Sequence, residues 1–239
     1  MSSTGTAIII VIVIGVLIGV TIIIQSIENQ RQQKRTRMQA IRNNIRNVEQ
    51  LYDTLPSGLV SEQLNHLVSQ HINFQWKNLL LLDNTSASQK AAQESLQRLS
   101  GFSPDNTYPA GSLTLLNDKN EAQKATLAAR ELSQWLQTLK KNSTAAHTIN
   151  DLLTHLQYCH AQANIDCMIF DAIECEQMKG RKVSIHQYKN CLNSLNNMHH
   201  FQKHDRQVFE LSSHIEALSN QADEADQEAA SKDAKETSH

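Results

Sequence analysis

Turn formers and strand formers are both scarce in this chain. Its 239 residues include 7 glycines and 3 prolines, and aromatic residues make up 5%. Glycine and proline punctuate loops, and aromatic side chains are favoured in strands, so their shortage argues for an all-α fold. The 4 cysteines form no C-x-x-C, which excludes a zinc ribbon and a thioredoxin-like motif. No glycine-rich phosphate loop and no G-x-S-x-G elbow occurs. Carboxylates are scattered along helix faces, as on a solvated surface. Nothing therefore points to an enzyme, and no cofactor is expected. A net charge of −2 argues against nucleic-acid binding by bulk charge.

Two charge blocks stand out against that neutral average. Gln25 to Arg46 holds six cations (Arg31, Lys34, Arg35, Arg37, Arg42 and Arg46) against the single acid Glu28. From Asn220 onward there are six acids (Asp223, Glu224, Asp226, Glu228, Asp233 and Glu236) against two lysines. The basic block lacks interleaved aromatics, so a nucleic-acid partner is not expected there either.

The only long apolar run is Ala7–Ile24, AIIIVIVIGVLIGVTIII, 18 residues without a charge. As a helix it spans roughly 27 Å, close to the thickness of a hydrocarbon core. A cleavable signal peptide would carry a basic start, a shorter apolar core and a small-x-small cleavage site. MSSTGT has no basic side chain and the run ends in isoleucines, so an uncleaved membrane helix is the reading. All the flanking cations follow the run, and cations stay on the cytoplasmic side. Residues 1–6 are thus expected outside and the remainder in the cytoplasm, with the six cations near anionic lipid headgroups. Gly15 and Gly19 form a small-x-x-x-small pair, which is a membrane dimerisation pattern.

From Met38 the apolar residues Met38, Ile41, Ile45, Val48, Tyr52 and Leu55 follow steps of 3 and 4, a heptad seam. Projected back in sevens, the rows pass through Arg31, Ile24 and Leu17, and through Lys34, Ile27 and Val20. Both glycines miss these rows, and Arg31 and Lys34 would face their own copies across a dimer. The seam is therefore expected to pack on its own domain, with a homodimer through Gly15 and Gly19 left open.

Seven segments follow: 1–6, an extracytoplasmic start; 7–24, the membrane helix; 25–55, a basic juxtamembrane helix; 59–99, a helical hairpin; 100–116, a linker loop; 117–220, a helical domain; and 221–239, a polar tail expected to be disordered. LPSG breaks the helix at Leu55–Gly58, and NLLLL (residues 78–82) is expected to be buried all round. Trp76 and Trp135 fall on apolar stripes and read as core. Asn117 or Asp118 caps a helix to about Lys141. The next helix starts at Ser143 with a break near Asn164, and another runs from Ser184 to Asn220 with a break near His204. The fold class is all-α: one transmembrane helix, a long basic amphipathic helix, then antiparallel hairpins as a bundle or short α-solenoid.

The helix pairs resemble tetratricopeptide-like repeats, though no period of about 34 residues is present and the signature positions do not align. The anchor, the basic helix and LYDTLPSGLVSEQL (Leu51–Leu64) resemble uncharacterised bacterial proteins with one N-terminal anchor and a helical cytoplasmic region. That resemblance covers about a quarter of the chain and carries no activity over. It implies a bacterial inner-membrane location. The leading functional expectation is a non-catalytic scaffold presenting a helical domain to a protein partner.

The alternative is a metal or thiol sensor. His155 and Cys159, and likewise His200 and His204, stand four residues apart on a helix face. A hairpin turn centred near Arg181 would set Cys159 level with Lys203 and His155 level with Gln207. Two such facing pairs make a tetrahedral site. Against it, buried cysteine in cytosol behaves as a small apolar residue. Cys167 or Cys175 against Cys191 would form a disulfide only if the topology were reversed.

Overall fold

The computed structural model describes the backbone of residues 3–103, 108–109, 111–141, 146–198 and 205–236, and side chains over 22–103, 108–109, 111–141, 147–198 and 205–224. Among the described residues the chain is all-α, with no strand. The helices are α1 (Ser3–Thr54), α2 (Glu62–Leu82), α3 (Ser86–Ser100), α4 (Lys119–Lys140), α5 (Ala146–Lys179), α6 (Arg181–Asn196) and α7 (Asp205–Glu236). A short 3-10 turn, Ser57–Leu59, follows the LPSG break.

The apolar run and the basic block are one unbroken helix, α1. Among the described residues no helix is long and apolar enough to cross a membrane. The side chains of residues 7–21, most of the apolar run, lie outside the described residues, and Gly15 and Gly19 lie in that stretch. Every described position from 22 to 37 is exposed. Burial begins along the heptad seam: Met38 and Ile41 are half-buried, and Ile45, Val48, Tyr52 and Leu55 are buried. The seam is thus covered by its own chain, as expected from the mismatch between its rows and the glycines.

Two compact units emerge: Met1–Asn47 with Ser69–Ser100, and Val48–Val68 with Gly101–His239. The linker loop marks only one of their boundaries; residues 48–68 cluster with the C-terminal unit.

In the first unit, α2 and α3 form the two helices read from sequence. Thr85 caps α3, its Oγ1 accepting the Ser88 N–H at 3.3 Å. Asp83 Oδ2 takes the Ser88 hydroxyl at 2.9 Å and the Arg42 guanidinium at 2.5 Å. The Trp76 indole is half-buried and donates to Ser95 Oγ at 3.1 Å. NLLLL is not buried all round: Leu79 is buried, but Leu81 is 85% exposed. A helix packed on one side covers one stripe, whatever the composition of the rest.

In the second unit α5 is the centre. It packs against α4 and α6. Lys119, at the start of α4, bonds Asp171 and Glu174 near the end of α5, so these two helices are antiparallel. Helices α5 and α6 are joined by Gly180 alone, at φ 85°, a left-handed conformation that glycine adopts without strain. Helix α5 is unbroken at Asn164. It buries a broad arc, including Leu152, Leu156, Cys159, Ala163, Ile169 and Ala172, because it has neighbours on two sides. On α4 the buried stripe is Ala122, Ala125, Ala128, Ala129, Leu132 and Leu136. It runs beside the Trp135–Leu139 row, so Trp135 is only half-buried.

Asp118, rather than Asn117, caps α4, accepting the Glu121 N–H at 2.7 Å. The break expected near His204 separates α6 from α7, and residues 199–204 lie outside the described set. Helix α7 continues to Glu236, so most of the stretch 221–239 that composition reads as disordered is helical. Its Ala, Glu, Gln and Lys residues are good helix formers.

Candidate functional site

The i, i+4 spacing of His155 and Cys159 does place both on one face of α5, but they turn to the backbone. His155 Nε2 lies 2.9 Å from the Leu59 carbonyl oxygen, and the Cys159 thiol donates to that same oxygen at 3.1 Å. The two side chains are 3.4 Å apart. With the Nε2–H tautomer, which the acceptor requires, both lone pairs of a buried carbonyl are satisfied by α5. Burial pushes the Cys159 thiol up to about 12, so it stays protonated. Burial also lowers the His155 pKa, against the pull of the Leu59 carbonyl. A metal-binding cysteine needs the thiolate, and these groups are held neutral.

His200 and His204, the other half of the proposed tetrahedral set, lie outside the described residues. The register assumed for them holds only near the turn, where the Tyr188 hydroxyl donates to Glu176 Oε2 at 2.8 Å. Farther on, Gln207 meets Gln162 and Asp166 rather than His155, and His214 meets Glu176. Helix α7 therefore runs parallel to α5. Among the described residues no group of three or more His, Cys, Asp or Glu side chains is arranged to hold a metal ion.

All four cysteines are free thiols. Burial raises Cys191 to about 11 and also raises Cys167. These shifts run opposite to the lowered pKa of a nucleophile or redox thiol.

The most developed polar constellation went unnoticed in the sequence. Asp166 is 0% exposed, inside α5. Its Oδ2 accepts the N–H groups of Leu115 and Leu116, each at 2.9 Å. Its Oδ1 accepts Nε2 of Gln162 and of Gln207, each at 3.0 Å. Gln207 Nε2 also reaches the Leu113 carbonyl at 3.0 Å. Burial raises the Asp166 carboxyl to about 7, and the four donors act against that rise. The cluster ties the segment before α4 to α5 and α7. The sequence signal was present: residues 159, 162, 166 and 169 step by 3, 4 and 3, so Gln162 and Asp166 occupy an otherwise apolar seam.

A third cluster joins α5, α6 and α7. Glu176 Oε2 accepts both the Tyr188 hydroxyl and His214 Nε2, at 2.8 and 3.1 Å. The Tyr188 and His214 rings meet edge to face with centroids 4.9 Å apart. Tyr188 is fully buried, and burial, with Glu176 next, raises its pKa above the usual phenol range. A buried phenol tied to a carboxylate orders three helices; it offers no reactive group to a substrate.

The remaining site residues lie on α1. Arg31, Lys34, Arg35, Arg37 and Arg46 are exposed. Arg42 is engaged with Asp83 and Ser88. The polar clusters inside the units act as fasteners, and the chemistry offered outward is charge and apolar surface on helices. Comparison with protein-family models, with curated proteins and with solved structures finds no match to this chain.

Proposed function

We propose that this chain is a non-catalytic, membrane-anchored helical scaffold of the bacterial inner membrane, with residues 1–6 outside and its helical units in the cytoplasm, presented to a protein partner. One observation carries the reading. Ile22, Ile23 and Ile24 are 61%, 60% and 60% exposed, and Ile27 is 46% exposed. Consecutive helical residues point about 100° apart, so three in a row span about 200° of the circumference, too wide an arc for one packed neighbour to cover. An isoleucine transferred from water to an apolar environment gains about 1.5–3 kcal/mol, and a lipid bilayer supplies that environment on every side.

The unbroken helix refines the role of the basic block. On a helix normal to the membrane, Arg31 stands roughly 10 Å and Lys34 roughly 15 Å beyond Ile24. Surface potential decays over about 8–10 Å, so the pull of anionic headgroups reaches Arg31 and fades from Lys34 to Arg46, which leaves most of the stalk's charge to other partners. The stretch 25–37 acts as a stalk about 20 Å long.

Reporter fusions after Arg46 and after Asn220 test the reading, together with alkaline extraction of membranes. Cytoplasmic signal at both sites and retention in the extracted membrane are expected. Recovery of the chain in the soluble fraction, or periplasmic signal, would end it.

A further inference from the structure

We infer that the partner is a second copy of this chain, docked through opposite charge: the acidic end of α7 in one copy lies along the exposed basic stalk of α1 in the other. This deepens the scaffold reading and rests on its claim that the chain is an interaction protein, not on the membrane anchor.

The stalk is exposed at every described position from 22 to 37. Arg31, Lys34 and Arg35 are related by i, i+3 and i, i+4, so they share one face. That face continues the seam which Met38 and Ile45 occupy lower down, where the chain covers it. On the stalk the row turns from apolar to cationic and lies exposed. Between Gln25 and Arg37 there are four cations and one acid.

The complement is on α7. Glu216, Asp223 and Glu224 are exposed, Glu216 and Asp223 being seven apart on one face. The sequence adds Asp226, Glu228, Asp233 and Glu236 before α7 ends, against Lys232 and Lys235. From Glu216 to Glu236 the helix extends about 30 Å, enough to span the stalk. Both charge blocks lie on helices of the same chain, so any two copies carry a matched pair. Anchoring in one membrane would raise their effective concentration. The contact is head-to-tail, using different surfaces on the two copies, so it propagates into rings or open arrays. That is the behaviour expected of a scaffold.

The experiment uses the full chain in zwitterionic detergent micelles, with two differently labelled populations and energy transfer between them. Energy transfer should rise with protein concentration and weaken about tenfold or more when salt is raised from low to high. One variant reverses the stalk (Arg31→Glu, Lys34→Glu, Arg35→Glu, Arg37→Glu). A second reverses the tail (Asp223→Lys, Glu224→Lys, Asp226→Lys, Glu228→Lys). Each alone should lose pairing about tenfold, and a mixture of the two should regain it. Arg31, Lys34, Arg35, Arg37, Asp223 and Glu224 are exposed on their helices, and unchanged far-UV circular dichroism checks the fold.

Four results would each overturn the inference: no recovery in the mixture; no energy transfer between the two populations at any protein concentration, as for charges that pair within one chain; a stalk reversal that alters only binding to anionic vesicles; or loss of pairing when Lys179→Glu with Arg181→Glu, at the α5–α6 corner, replaces the stalk variant. Alkaline extraction reads the anchor separately, so failure of the anchor and failure of pairing are distinguishable.

Discussion

Asp166 sets two physical effects against each other, and its amide variant decides between them. Burial raises its carboxyl from 3.8 to about 7, even though four N–H donors surround it. With the folded value above the unfolded one, the folded state binds more protons between the two values. Stability is then greatest at low pH and falls as pH rises toward 7. The full difference is about 4 kcal/mol, of which about 3 kcal/mol falls between about pH 5 and pH 8. Asp166→Asn cannot ionise and lacks this slope. Its amide nitrogen must also face two N–H donors, Leu115 and Leu116 on one side or the two glutamines on the other. The glutamine side is the softer one, because Gln162 Oε1 is buried without a partner and can turn to accept. One conflicting pair remains, at about 1–3 kcal/mol.

The variant is therefore expected to be less stable than wild type near pH 5, with the gap closing by about 3 kcal/mol as pH rises to about 8. Urea unfolding followed by Trp135 fluorescence in a Trp76→Phe background reports the second unit. Taking the difference between the two proteins removes titrations they share, including that of His155. A gap that stays constant or widens with pH would refute the reasoning, because it would show that the four donors outweigh desolvation and hold the buried group as an anion.

Three further outcomes are expected. Cys159→Ala removes one of two donors to the Leu59 carbonyl and should cost about 1–2 kcal/mol by urea unfolding, with no change in bound zinc by elemental analysis. His155 folds neutral with a lowered pKa, so the stability it contributes is complete above its unfolded value of 6.5 and declines as pH falls below it; His155→Gln should flatten that limb of the pH profile, and an unaltered limb would count against the assignment. Leu79→Ala should cost about 2–5 kcal/mol, whereas Leu81→Gln two residues on should stay within about 0.5 kcal/mol, and equal costs would contradict the one-sided packing of α2.

Much of the architecture was legible because helices announce themselves locally. The LPSG break, the cap at the start of α4, the α2–α3 pair and the break before Asp205 all follow from residues within one turn of the feature. Stripe phase was legible to within a residue: on α4 the pattern reads Ala125, Ala128, Leu132, Trp135 and Leu139 as inward, and the first three are buried, but Leu136 takes the place of Trp135 and Leu139, which are half-buried. Neighbouring rows differ by only a fraction of a turn, and the contacting helix chooses between them. NLLLL shows the same limit, since composition identifies apolar residues but cannot count neighbours.

By itself the sequence determined the all-α class, the heptad seam that follows the basic block, and the separation of basic and acidic blocks at opposite ends. These depend on propensity, periodicity and charge, which act along the chain. Only the tertiary structure decided that His155 and Cys159 serve the Leu59 carbonyl, 100 residues from Cys159, and that Gln162, Asp166 and Gln207 close one buried network. It also decided that α7 runs parallel to α5, with Gln207 beside Gln162 and Asp166 rather than level with His155. The reason is physical: a buried polar group is satisfied by whatever donor or acceptor lies within about 3 Å in space, and sequence spacing fixes that distance only within a helix turn.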